Sequence, residues 1–150
     1  MDNLIVQIIL RFVHIVSAIL AVGGLGFLAF CLLPAAKGAD DAARSAILPP
    51  AVAKFTKIVW LAIAGLIVSG VINWINFAGT YKAMGPAGNA LIGTKVLLAL
   101  ILFAMVWAES TGFIKPKNPR GFLVAKLHLG MLVILLAVVL RGLRLAHVAG

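Results

Sequence analysis

Four apolar runs dominate the chain, at about 4–33, 52–77, 90–113 and 122–145, and polar residues collect between them. Roughly 20 apolar residues at ~1.5 Å each cross a hydrocarbon core of ~30 Å, so each run is long enough to span a bilayer as a helix. Strands of an outer-membrane barrel would be shorter and would alternate, which these runs do not. Between Phe12 and Leu33 the only polar side chains are His14 and Ser17. The first run is longer than the ~7–15 apolar residues of a cleaved signal, and Asp2 precedes any basic residue, so it is expected to remain as a membrane helix. Pro49-Pro50 suits a helix start, which places the beginning of the second run near there.

The connections differ in character. Pro34 to Lys54 carries Lys37, Asp40, Asp41, Arg44 and Lys54, and either aspartate can cap a short surface helix. Ala78 to Asn89 holds Gly79, Gly85, Pro86 and Gly88 and reads as an irregular loop. Ile114 to Gly121 holds Lys115, Pro116, Lys117, Pro119 and Arg120 and reads as a sharp basic turn. The expected fold is therefore all-α: a single transmembrane domain over 1–150, a four-helix bundle in up-and-down order with both termini on one side. Gly65-xxx-Ser69 in the second run is a small-xxx-small pair that lets helix backbones approach. Trp60, Trp74, Trp107 and Tyr81 lie near run ends, where interface anchoring is their expected role.

Composition agrees. The 150 residues are 63% hydrophobic and 11% charged, against about 25% charged in a soluble domain. The formal net charge of +9 raises nucleic acid as a partner. The basic residues lie between apolar runs rather than in a stripe on a soluble fold, so membrane lipids are the expected partner and nucleic acid is not. The positive-inside bias puts the first and third connections in the cytoplasm and both termini in the periplasm of a bacterial inner membrane. Cys31 is the single cysteine, which excludes an internal disulfide and a cysteine-rich zinc site. A nucleotide-binding loop and a paired-carboxylate site are absent from the sequence.

The chemistry rests on ionisable residues inside the runs, because these are costly in lipid and normally face a bundle interior or cavity. Near the terminal side lie Arg11, His14, Asn73, Asn76, Lys95, Arg141 and Arg144. Arg11 and His14 are three apart, as are Arg141 and Arg144, so each pair shares a helix face. A neutral imidazole is a good ligand for haem iron, and arginines suit the two propionates of haem b. His14 is thus the candidate axial ligand, Arg11, Arg141 and Arg144 the candidate propionate partners, and Lys95 a second ligand or charge partner. The plainer reading is that His14 bonds a neighbouring helix and the arginines reach to the interface. At the other side lie Lys57, Glu109, Lys126 and His128. His128 is a further candidate metal ligand, and Glu109 is expected to meet Lys126 or His128. By rise per residue His14 and His128 differ in depth by roughly 10–15 Å, so they are not expected to share one iron.

Arg11-Phe-Val-His14-Ile-Val-Ser-Ala-Ile-Leu-Ala-Val-Gly23-Gly24 resembles the first helix of copper-resistance-D-like membrane proteins and of the small HemJ-type protoporphyrinogen oxidases. Gly93-Thr94-Lys95-Val96-Leu97-Leu98 is similar to the third-helix stretch of the latter. The resemblance implies a haem b site at His14 with Lys95 associated with activity. Ala21-Val22 and Asn118-Pro119-Arg120-Gly121 depart from that family's pattern. The expected function is a haem b membrane protein in electron transfer or oxidoreduction, acting on a porphyrin, a quinone or an oxygen species. The alternatives are a non-catalytic membrane subunit and a copper- or ion-handling transport module. Met1, Met84, Met105 and Met131 are scattered, which disfavours a clustered copper site. A homo-oligomer or a larger membrane complex is the expected assembly.

Overall fold

A computed structural model describes residues 2–149. Four helices run α1 (2–37), α2 (Asp41–Ala83), α3 (Gly85–Ser110) and α4 (Pro119–Ala149). Each contains a stretch long and apolar enough to cross a membrane, and no strand occurs among the described residues. The chain is an all-α integral membrane bundle. Consecutive helices pack antiparallel, and α4 returns to α1 and closes the ring.

Helix ends depart from the hydropathy pattern wherever local chemistry overrides it. Asp40 accepts a 2.7 Å hydrogen bond from the Ala43 amide and starts α2, so the cap serves a 43-residue helix rather than a short surface one. Pro49 and Pro50 lie inside α2 and do not begin it. The amides they lack would have bonded the carbonyls of Ser45 and Ala46, both exposed residues, so water can replace the loss. The irregular stretch expected from Ala78 to Asn89 is instead almost wholly helical. The chain turns at Met84 and Gly85, whose φ of +71° is cheap only for glycine. The third connection, 111–118, is the sharp basic turn the sequence implies, with Gly112 at φ +73°.

α1 is not uniform. Two wider π turns, Ile19–Gly23 and Leu28–Leu32, alternate with α-helical segments. The second contains Phe30, the residue whose carbonyl the ring of Pro34 would crowd in a regular helix.

The apolar core lies in the half of the bundle near the first and third connections. Val22, Leu25, Leu28 and Ala29 of α1 pack on Leu123 and Leu127 of α4. Val59 and Ile63 of α2 pack on Val106 of α3, and Phe55 joins both groups. Lipid tails are as apolar as leucine, so close fit rather than water exclusion holds these faces together. Gly24 sits under the ring of Phe55, and a Cβ on Gly130 would come 2.9 Å from Val22 Cγ2. Trp60, Trp74 and Trp107 point outward, whereas Tyr81 is buried. Tyr81 belongs to the α2–α3 turn, where Gly88 lies against its carbonyl, and it is not an interface anchor.

In the terminal half, the first segment of α1 packs chiefly on α2. Gly65 lets Ser17 approach so closely that any Cβ there would collide with the Ser17 hydroxyl. Gly65→Val should therefore cost about 1–3 kcal/mol by overpacking. Gly79→Ala, where the added carbon meets nothing within 4 Å, should cost nothing and gain up to about 1 kcal/mol of helix propensity. Thermal unfolding of the two variants in detergent measures the difference.

Candidate functional site

The terminal half of the α1–α2 seam is built from two ridges. Along α1, Gln7, Arg11, His14 and Ser17 recur every three or four residues, and along α2, Gly65, Ser69, Asn73 and Phe77 recur every four. Such spacings place each set on one helix face. Antiparallel packing sets Ser17 against Gly65 and His14 against Ser69, while Arg11 and Asn73 border the same hollow. That hollow has a volume of about 80 Å³ and is lined by Leu4, Gln7, Ile8, Arg11, Asn73 and Phe77.

His14 Nδ1 lies 2.8 Å from Ser69 Oγ. Ser69 is fully buried, and its hydroxyl donates to the Gly65 carbonyl at 2.5 Å. A serine has one proton to give, so toward His14 its oxygen can only accept. Nδ1 therefore carries the ring proton and Nε2 keeps the lone pair. The half-buried ring also lies over Gly70, where a Cβ would come 3.7 Å from His14 Cε1. This tautomer, fixed through the distal nitrogen, is the arrangement in which an imidazole is held ready for a metal.

The surroundings of His14 are cationic. Lys95 of α3 is near enough for its charge to act on His14, and Arg144 of α4 acts on Lys95 in the same way. Arg11 feels both Arg141 and Arg144. Arg144 is stacked 3.9 Å from the centroid of Phe77, which also lines the Arg11 hollow. The structure thus gathers the five residues expected at this side, Arg11, His14, Lys95, Arg141 and Arg144, on a common end of the bundle. Asn73 joins them at the hollow, while Asn76 is exposed.

At the opposite end the groups separate. Glu109 forms an ion pair and hydrogen bond with Lys126, whose side chain is only 5% exposed and whose ammonium lies 5.1 Å from the Phe122 ring centroid. His128 is exposed, and its Nδ1 lies 2.8 Å from the Val124 carbonyl of its own helix. It meets neither Glu109 nor His14. No cluster of three or more metal-ligating side chains occurs among the described residues. Lys57 and His147 are exposed.

Two residues matter more than the sequence indicated. Ser69 looked like a packing residue and is the hydrogen-bond partner of His14. Phe77 looked like the last apolar residue of its run and is the platform for Arg144. Their four-residue spacing from Gly65 through Asn73 was the available signal.

The Glu109–Lys126 pair is asymmetric, because the Glu109 side chain is 37% exposed and that of Lys126 is not. Stranding a buried charge costs about 3–5 kcal/mol. Glu109→Leu should thus destabilise the protein more than Lys126→Met, and the double variant should recover much of the loss. Unfolding midpoints of the three variants in one detergent check the order. Comparison of the chain with protein families, with curated proteins and with solved structures returned no match.

Proposed function

We propose that the chain is a haem b-binding membrane protein acting in electron transfer or oxidoreduction, in which His14 Nε2 would hold the iron. The observation that carries the reading is the His14–Ser69 hydrogen bond. It leaves a lone-pair nitrogen at the end of the bundle that also carries Lys95, Arg11, Arg141 and Arg144. A metal macrocycle with carboxylate arms asks for that combination: one neutral nitrogen and several positive partners close by. Resemblance to the HemJ-type and copper-resistance-D-like proteins, at Arg11-Phe-Val-His14 and around Lys95, points the same way. The location follows the charge pattern: a bacterial inner membrane, with the termini and the His14 end periplasmic.

The roles divide among the chain's own residues. Ser69 orients the imidazole and holds its proton on Nδ1. Arg11, Arg141 and Arg144 supply the positive charge that carboxylates need near the surface. Lys95, deeper and half-buried, is a second ligand or a charge partner beside His14. When bound, the haem supplies a one-electron couple. Substrates consistent with such a site are a porphyrin, a quinone or an oxygen species.

A second reading has an observation of its own. The Arg11 hollow of about 80 Å³ is not lined by His14, and pockets that enclose cofactors usually hold ~300–1,000 Å³. The bundle offers an imidazole and several cations here rather than an enclosing cavity. A non-catalytic membrane subunit, with His14 and Ser69 as a polar clasp between helices, accounts for the same bond.

A reduced-minus-oxidised spectrum of the detergent-purified protein separates the two. The haem reading expects a Soret difference that His14→Ala abolishes. Ser69→Ala should weaken retention by about 10–100-fold, as loss of a ligand's supporting hydrogen bond does. A colourless protein, or a Soret band indifferent to His14→Ala, would leave only the clasp.

A further inference from the structure

A second hollow of about 80 Å³ lies at the other end of the bundle, lined by Leu33, Pro34, Lys37 and Arg120. Lys37 ends α1, and Arg120 stands in the first turn of α4. Helices distant in sequence thus bring one cation each to a single hollow whose remaining walls are apolar.

The acids that might neutralise these cations are engaged elsewhere. Asp40 caps the Ala43 amide, and Asp41 pairs with Arg44 at 3.4 Å. Glu109 is held by Lys126. Asp2, the fourth acid of the chain, belongs to the opposite end. Arg44 is committed too: its Nε donates to the Ala36 carbonyl at 3.0 Å and its Nη2 to Ala39 at 3.4 Å, closing the end of α1. Lys126 is buried in its pair. Lys37 and Arg120 are exposed, and no ion pair with either occurs among the described residues. The amino end of α4 adds its partial positive charge beside Arg120.

Depth identifies what fits. The apolar span of α1 ends at Lys37, so the hollow lies at the end of that span, the level at which headgroups flank a hydrocarbon core. Leu33 and Pro34 are on the membrane side of Lys37, and Phe30, 71% exposed, is one turn further in. An anion arriving there with apolar chains behind it would meet the cations with its head and these side chains with its tails. Basic hollows between membrane helices on the positively charged side bind anionic lipid headgroups on this principle. We propose that the hollow seats the phosphate of an anionic phospholipid from the leaflet on the side of the first and third connections, with Lys37 and Arg120 holding the headgroup. The site is independent of His14 and of any haem.

The full chain in neutral detergent provides the test. Its thermal unfolding is followed with added phosphatidylglycerol, phosphatidylcholine or inorganic phosphate. Phosphatidylglycerol should raise the midpoint and phosphatidylcholine should not. Lys37→Gln with Arg120→Gln should weaken phosphatidylglycerol binding roughly 25-fold, at about fivefold per cation, with the midpoint in phosphatidylcholine unchanged. Lys37→Arg should retain the response. Lys115→Gln with Lys117→Gln, which removes charge from the neighbouring turn but not from the hollow, should retain it as well. An equal response in the Lys37/Arg120 double variant overturns the site. An equal loss in the Lys115/Lys117 variant reduces it to diffuse charge, and a full response to inorganic phosphate overturns the lipid assignment.

Discussion

The terminal half of the bundle depends on one hydrogen bond, between His14 of α1 and Ser69 of α2. Within a bilayer, a polar group without a partner costs several kcal/mol, so an imidazole at this position must find one. Ser69 provides it only because Gly65, four residues earlier, lets α1 come close enough. The hydroxyl lies between the His14 ring and the Gly65 carbonyl, and since a carbonyl can only accept, its single proton goes there. From that constraint follow the tautomer of His14, the orientation of its ring and the availability of Nε2.

The two halves of the molecule do different work. Around Phe55 the helices meet through Val22, Leu25, Leu28, Val59, Ile63, Val106, Leu123 and Leu127, and this half is apolar and close-fitting. Its one deep charge, Lys126, is neutralised on the spot by Glu109. Toward the termini the seam is polar, and Arg11, Lys95, Arg141 and Arg144 act on one another without a carboxylate partner among the described side chains. Gathering like charges at one end of the bundle carries a repulsive cost.

Much of the architecture was legible because hydropathy over ~20 residues is a strong signal, and four such runs admit few arrangements. The ends were less so. Pro49-Pro50 resembles a helix start, yet Asp40 offers the amide cap and the chain begins α2 there. Gly85 and Pro86 suggested a loop, but a single glycine at positive φ suffices to reverse the direction. At the site, Arg11, His14, Lys95, Arg141 and Arg144 could be named from the cost of charge in lipid. Ser69 could not, because serine and glycine four apart read as packing until the facing helix is known. Glu109 had two partners in reach by depth, and only the rotation of α4 decides that Lys126 faces it while His128 faces away.

The protonation pattern of the His14 ring bears most directly on this account. Nitrogen NMR of the histidine-labelled protein, with His14 assigned by its loss in His14→Gln, distinguishes the two neutral tautomers. The account predicts a proton on Nδ1 and a bare Nε2, reverting to a mixture in Ser69→Ala. A ring protonated on Nε2 in the wild-type protein would contradict it, because Ser69 would then have to donate to Nδ1 rather than to the Gly65 carbonyl.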